Sequence, residues 1–111
     1  MIIDNTIHPT AIIGENVNIG QGNYIGPYCI LQNCNIGNNN RFEAACHIGT
    51  SPQSKGVDGT EGVLVIIQND NVFREFVVVN CGTKKPTIIN NKNLIYAKTF
   101  IGHDSQIGSN I

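Results

Sequence analysis

The sequence predicts an all-β fold in which short parallel strands wrap into a solenoid, and three observations carry that prediction. Large aliphatic or aromatic residues recur every six positions through most of the 111 residues. Ile and Asn dominate, at 18 and 16 residues, while Trp is absent and aromatics amount to 6%. Two positions before each periodic residue stands a second inward set that sorts into columns of like residues. β-Branched Ile favours strands, and Asn tolerates the left-handed backbone that tight corners need. A side of six residues is too short for a helix and suits a brief strand plus a corner, so three sides close one coil.

Taken in order, the first coil has sides centred on Ile7, Ile13 and Ile19. The second runs through Ile25, Leu31 and Ile36, with one residue fewer between the last two. The third uses Phe42, Ile48 and Ile67, with a surface loop near 50–62; an additional coil there would need aliphatics where Ser54 and Thr60 stand. Phe73, Val79 and Ile89 form the fourth, with a second loop near 82–87, and Ile95, Ile101 and Ile107 the fifth. Fifteen sides therefore make about five triangular coils, stacking to a column on the order of 24 Å at a spacing of ~4.8 Å. The expectation is a single β-helix domain over residues 1–111, open at its C-terminal end, where the edge of the last coil lacks a cap.

The second inward set tests the register. It groups as Asn5, Asn23, Asn40, Asn71 and Asn93; as Ala11, Cys29, Cys46, Val77 and Thr99; and as Val17, Cys34, Val65, Thr87 and Ser105. Stacked Asn amides can hydrogen-bond from coil to coil and so satisfy themselves inside the column. The cysteines have no metal-ligand spacing and read as small core residues of a reducing compartment. Cys29 and Cys46 fall one coil apart on one side, close enough for an incidental disulfide in air.

A net charge of −1 argues against bulk nucleic-acid binding. The charge is uneven, since Arg74, Lys84, Lys85, Lys92 and Lys98 face only Glu75 between positions 74 and 98. No stretch approaches the ~18 apolar residues of a membrane span. The N-terminus MIIDNTIHPT has no signal-peptide pattern, so a cytoplasmic location is expected.

The six-residue repeats, the opening IHPTAIIG, the phrase IGPYCI, the loop GTSPQSK, the segment NDNVFREFVVVNCGT and the run NLIYAKTFIGHDSQIG follow one another in this order. Together they resemble the acyl-[acyl-carrier-protein]:UDP-N-acetylglucosamine O-acyltransferase family of lipid A synthesis, over nearly the whole chain. The segment from Asn71 to Thr83 followed by the Gly102-His103-Asp104 corner is the most specific part. The resemblance implies a left-handed parallel β-helix, a hand that the period by itself does not set. It also implies a homotrimer with active sites in the clefts between subunits, an acyl-carrier protein as co-substrate and partner, a nucleotide-sugar acceptor, and no separate cofactor.

By the same resemblance His103 matches the general base and Asp104 the acid paired with it. A base near neutrality is what attack of a sugar hydroxyl on a thioester requires. Gln53 and Lys55 match loop positions that contact the nucleotide sugar, and Lys84, Lys85 and Lys98 make a basic patch suited to an acidic carrier protein. Three positions depart from the family's pattern: Phe100 stands where a second His is usual, Ser54 where an Asp is usual, and Lys98 where an Asn is usual. The family also continues for several coils and a helical domain beyond the part matched here. Two other function classes are weighed against this one. A three-His zinc hydratase, built elsewhere on this fold, is removed because His8, His47 and His103 fall on the first, third and fifth coils and cannot meet at one ion; no metal is expected. A truncated relative that assembles or binds without turnover is the alternative to an enzyme.

Overall fold

The computed structural model describes residues 4–56 and 62–111, so the stretch 57–61 of the first predicted loop, with Thr60, lies outside the described residues. Among the described residues fifteen strands arrange into three parallel sheets of five, one strand per side of each coil, closing a left-handed parallel β-helix. The first sheet stacks β1 (Thr6–Ile7), β4 (Tyr24–Ile25), β7 (Arg41–Phe42), β10 (Val72–Phe73) and β13 (Leu94–Ile95). The second stacks β2 (Ile12–Ile13), β5 (Ile30–Leu31), β8 (His47–Thr50), β11 (Val78–Asn80) and β14 (Phe100–Ile101). The third stacks β3 (Val17–Ile19), β6 (Cys34–Ile36), β9 (Val65–Ile67), β12 (Thr87–Ile89) and β15 (Gln106–Ile107).

The register is the one the six-residue period requires. Ile7 pairs with Ile25, then Phe42, Phe73 and Ile95, and the short side before Ile36 is absorbed without a slip, because Val17, Cys34, Val65 and Thr87 still align. Inside, Ile25, Leu31, Ile48, Ile67, Val79 and Ile89 are fully or almost fully buried. Phe42 and Phe73 stack face to face, with centroids 4.7 Å apart and planes 6° from parallel.

All five predicted Asn stand in one inward column, but their bonding differs from simple amide-to-amide stacking. Each Oδ1 accepts the backbone N–H of the residue one coil on: Asn23 onto Asn5 at 2.9 Å, Asn40 onto Asn23 at 2.8 Å, Asn71 onto Asn40 and Asn93 onto Asn71 at 2.9 Å, and Ile111 onto Asn93 at 2.8 Å. Each Nδ2 meanwhile donates to a corner carbonyl, from Gly20, Gly37, Gln68, Asn90 and Gly108 in turn, at 2.7–2.9 Å. The side chain thus pairs backbone groups that the corner leaves outside the strand ladders. Only Asn5–Asn23 and Asn40–Asn71 add a direct amide-to-amide bond.

Corner chemistry also corrects the composition argument. Asn16, Asn33, Asn39 and Asn110 do hold positive φ, yet the corner from the first sheet into the second is held at φ of 60–64° by Tyr28, Ala45, Phe76 and Lys98. The Asn enrichment therefore serves ladders at least as much as left-handed corners. A second ladder, unforeseen from the sequence, runs outside the first: Asn38, Asn69 and Asn91 each accept a backbone N–H from the neighbouring coil through Oδ1.

The first loop leaves the helix at Gly49. Its φ is +87°, and a Cβ there would sit 1.5 Å from the Gln32 carbonyl oxygen, so only glycine fits. The pairing of β8 with β11 shifts at this point, matching Asn80 to Thr50 instead of Gly49. Among the described residues no helix is long and apolar enough to cross a membrane.

Replacing Asn71 by Leu should destabilise the column from its middle. The Asn93 N–H and the Asn90 carbonyl would lose their partners, at about 1–3 kcal/mol for each orphaned group. Urea unfolding should show the midpoint falling accordingly; an unchanged midpoint would mean the ladder does not hold the coils together.

Candidate active site

The predicted His-Asp pair forms at the corner where β14 turns into β15. Ile101 is buried, so the chain must turn immediately after it, and Asp104 takes the turn with φ of +62°, a conformation Asp tolerates better than most residues. The Asp104 N–H donates to Oγ1 of Thr87, a fully buried inward residue of β12, at 3.1 Å. Outside the corner, His103 Nδ1 lies 2.8 Å from Asp104 Oδ2. The carboxylate cannot donate, so Nδ1 carries the proton and Nε2 is left as the basic nitrogen of the neutral ring.

Asp104 is held from its other side by the loop between β11 and β12. Backbone N–H groups of Thr83, Lys84 and Lys85 donate to Oδ1 at 2.8, 3.0 and 3.1 Å, and the Thr83 hydroxyl donates to Oδ2 at 2.5 Å. Three consecutive amides converging on one oxygen form an anion-binding nest, here filled by the chain's own carboxylate. The Thr83 hydroxyl, His103 and the Lys84 and Lys85 amides keep the Asp104 carboxyl well below the usual carboxylate range, against a smaller opposing effect of burial. The loop can close this tightly because residue 82 is glycine: a Cβ there would meet the Lys85 carbonyl oxygen at 1.6 Å.

The same loop is tied to the one carrying Gln53 and Lys55. Val63 and Gly82 form an antiparallel bridge, exchanging backbone hydrogen bonds of 2.8 Å. Asn80, fully buried, donates to Thr50 Oγ1 and accepts the Gln53 N–H at 3.3 Å. Gln53 and Lys55 are exposed on that loop, and Lys84 and Lys85 are exposed on the loop that grips Asp104. Lys98 is placed apart from them, at the corner leading into β14, one strand length from the His103 corner. The predicted basic patch is thus two groups flanking β14. Thr83, Asn80 and Thr87 also belong to the site and carry no motif of their own; the available signal is a hydroxyl residue directly after Gly82, at the end of the most specific segment.

The remaining candidates stay outside this corner. Among the described residues no three His, Cys, Asp or Glu side chains come together as a metal site. The four cysteines are buried free thiols. Burial pushes Cys34 up to about 12 and raises Cys81, and Cys46 is raised by its hydrogen bond with Cys29 and by burial. Cys29 and Cys46 do fall one coil apart, because the next residues, Ile30 and His47, are paired. His47 faces outward on β8, and burial lowers its pKa.

No protein-family model matches the chain. Among curated proteins it is 37% identical to an acyl-[acyl-carrier-protein]–UDP-N-acetylglucosamine O-acyltransferase from Syntrophobacter fumaroxidans, an alignment covering 97% of this chain and 43% of that protein. Among solved structures it matches a UDP-N-acetylglucosamine acyltransferase with a TM-score of 0.70 and 33% identity, over 94% of this chain and 46% of that one. The enzyme of the same kind from Francisella novicida superposes with a TM-score of 0.65 at 29% identity, over 95% of this chain and 44% of that one. The chain therefore spans less than half the length of these relatives.

The pH behaviour of Asp104 follows from its lowered pKa. Its contacts stabilise the folded chain in full above the unfolded carboxylate value of ~3.9, and that contribution is lost progressively as pH falls from there to the lower folded value. A 13C titration of the side-chain carboxyls should find Asp104 still ionised at pH ~3. A midpoint near the unfolded value would mean that the nest does not form in solution.

Proposed function

We infer that this chain, a relative of the acyl-[acyl-carrier-protein]–UDP-N-acetylglucosamine O-acyltransferases along nearly its whole length, supplies the general base of an acyl transfer from a carrier-protein thioester to a UDP-amino sugar. The observation that carries this reading is the His103–Asp104 pair, with Nδ1 bonded to a carboxylate that the neighbouring loop holds ionised.

The chemistry runs through Nε2. An acceptor hydroxyl is a poor nucleophile at neutral pH, and its oxygen gains enough electron density to attack the thioester carbonyl only as its proton leaves. His103 Nε2 takes that proton while the C–O bond forms, and Asp104 stabilises the resulting imidazolium through Nδ1. Collapse of the tetrahedral intermediate breaks the C–S bond, and the imidazolium returns the proton to the departing thiolate. The step balances without a cofactor. Lys55, exposed on the first loop, is a point charge suited to a diphosphate, and Gln53 beside it can donate to or accept from the acceptor. Lys84 and Lys85, next to the nest, and Lys98, across β14, offer positive charge to an acidic carrier protein. Four unpaired buried thiols support a cytoplasmic setting.

A homotrimer is part of the same proposal. The outward positions of the second sheet align as Ile12, Ile30, His47, Val78 and Phe100, with Ile12 and Phe100 more than half exposed. This column, apolar except for His47, is suited to burial against other copies. It runs beside the His103 corner, so packing along it would wall the site with a neighbouring subunit.

His103→Ala should reduce acyl transfer to UDP-N-acetylglucosamine by about 10² to 10⁴ while leaving the fold unchanged, because the ring lies outside the core at the corner and contributes little packing. Transfer within tenfold of the parent would show that another group is the base. Sedimentation at tens of micromolar should give three times the 12.0 kDa chain mass, and Phe100→Lys should shift the chain toward monomer. A monomeric parent would remove the trimer.

A further inference from the structure

The geometry assigns to Thr83 the role of a positioning residue that aims the His103 imidazole by clamping Asp104 across both of its oxygens. This rests on the reading of His103 as the base. Among the described residues Thr83 alone reaches the carboxylate with both backbone and side chain, its N–H on Oδ1 at 2.8 Å and its hydroxyl on Oδ2 at 2.5 Å. The Lys84 and Lys85 amides reach Oδ1 only. Without the Thr83 hydroxyl, three amides would still hold Oδ1, but nothing from the loop would hold Oδ2, and the carboxylate could pivot about its anchored oxygen. Oδ2 is the atom that meets His103 Nδ1, so that pivot would release the ring.

The hydroxyl also decides which lone pair the imidazole uses. A carboxylate oxygen offers two in-plane acceptor sites. On Oδ2 the Thr83 hydroxyl occupies one, and His103 is directed to the other. The backbone on both sides is already fixed, by the Val63–Gly82 bridge and by the Asp104 N–H bond to Thr87, so little but this rotation is left free. The Thr83 hydroxyl is then the last constraint on the orientation of Nε2. The Val63–Gly82 bridge ties the clamping loop to the one that carries Gln53, the segment proposed to hold the acceptor.

The test reads the hydrogen bond directly. In the full chain, the Nδ1 proton of His103 should give a downfield resonance protected from exchange by Asp104. Thr83→Ser should keep it, whereas Thr83→Val, with the hydroxyl removed at constant bulk, should lose it or broaden it beyond detection. Thr83→Ala should behave as Thr83→Val, which guards against a packing fault from the valine methyl. With acyl transfer as the second readout, Thr83→Val should lower kcat about tenfold with KM for the sugar within twofold, and Thr83→Ser should restore it. An unchanged resonance in both Thr83→Val and Thr83→Ala, or its absence in the parent, would overturn the assignment. The imidazole signal does not depend on turnover, so a parent chain that transfers no acyl group would overturn the catalytic reading alone.

Discussion

The inward Asn column is the interaction on which the rest of the structure depends. A coil that turns three times within a short stretch strands backbone N–H and C=O groups at each corner, and burying them unpaired would cost about 1–3 kcal/mol apiece. Each Asn answers two of these demands at once, taking an N–H from the following coil on Oδ1 and giving Nδ2 to a corner carbonyl. Because every such side chain bridges two coils, the strands above and below are locked in rotation as well as in height. That lock keeps Ile7, Ile25, Phe42, Phe73 and Ile95 in one stack.

A fixed register is what makes a site possible on strands of two to four residues. Residues on different coils meet only because the coils cannot slip: Thr83 and Asp104 are 21 positions apart, as are the loop and corner that carry them. A shift of one residue would turn Thr87 outward and withdraw the hydroxyl that accepts the Asp104 N–H. The two glycines at the loop mouths, Gly49 and Gly82, serve the same end by allowing backbone to approach backbone where any side chain would collide.

Asp104 carries two duties that pull in the same direction. It is the anion in a nest of three amides and also the acceptor for His103 Nδ1. Its ionised form is favoured by both, so the loop stays closed wherever the imidazole needs a carboxylate beside it. Shape and electrostatics at this corner are therefore one property of the chain, which explains how an exposed edge of a narrow column can hold a side chain in a single orientation.

The coil count, the three sides and the identity of every inward column were legible in the sequence because a six-residue period with Asn5, Asn23, Asn40, Asn71 and Asn93 in phase admits one register. His103 and Asp104 were legible too, as neighbours whose residue types suit base chemistry. The partners of Asp104 were not: Lys84 and Lys85 approach it through backbone N–H groups alone, which leave no trace in residue identity, and the Thr83 hydroxyl reaches it only because the loop folds back onto the corner. Nor was the separation of Lys98 from Lys84 and Lys85 visible in a count of charges, since a strand of β14's length puts them at different corners. Periodicity along the chain determined what stacks on what; only the closed tertiary structure decided which loop grips which corner, because that depends on where loops of irregular length return to the column.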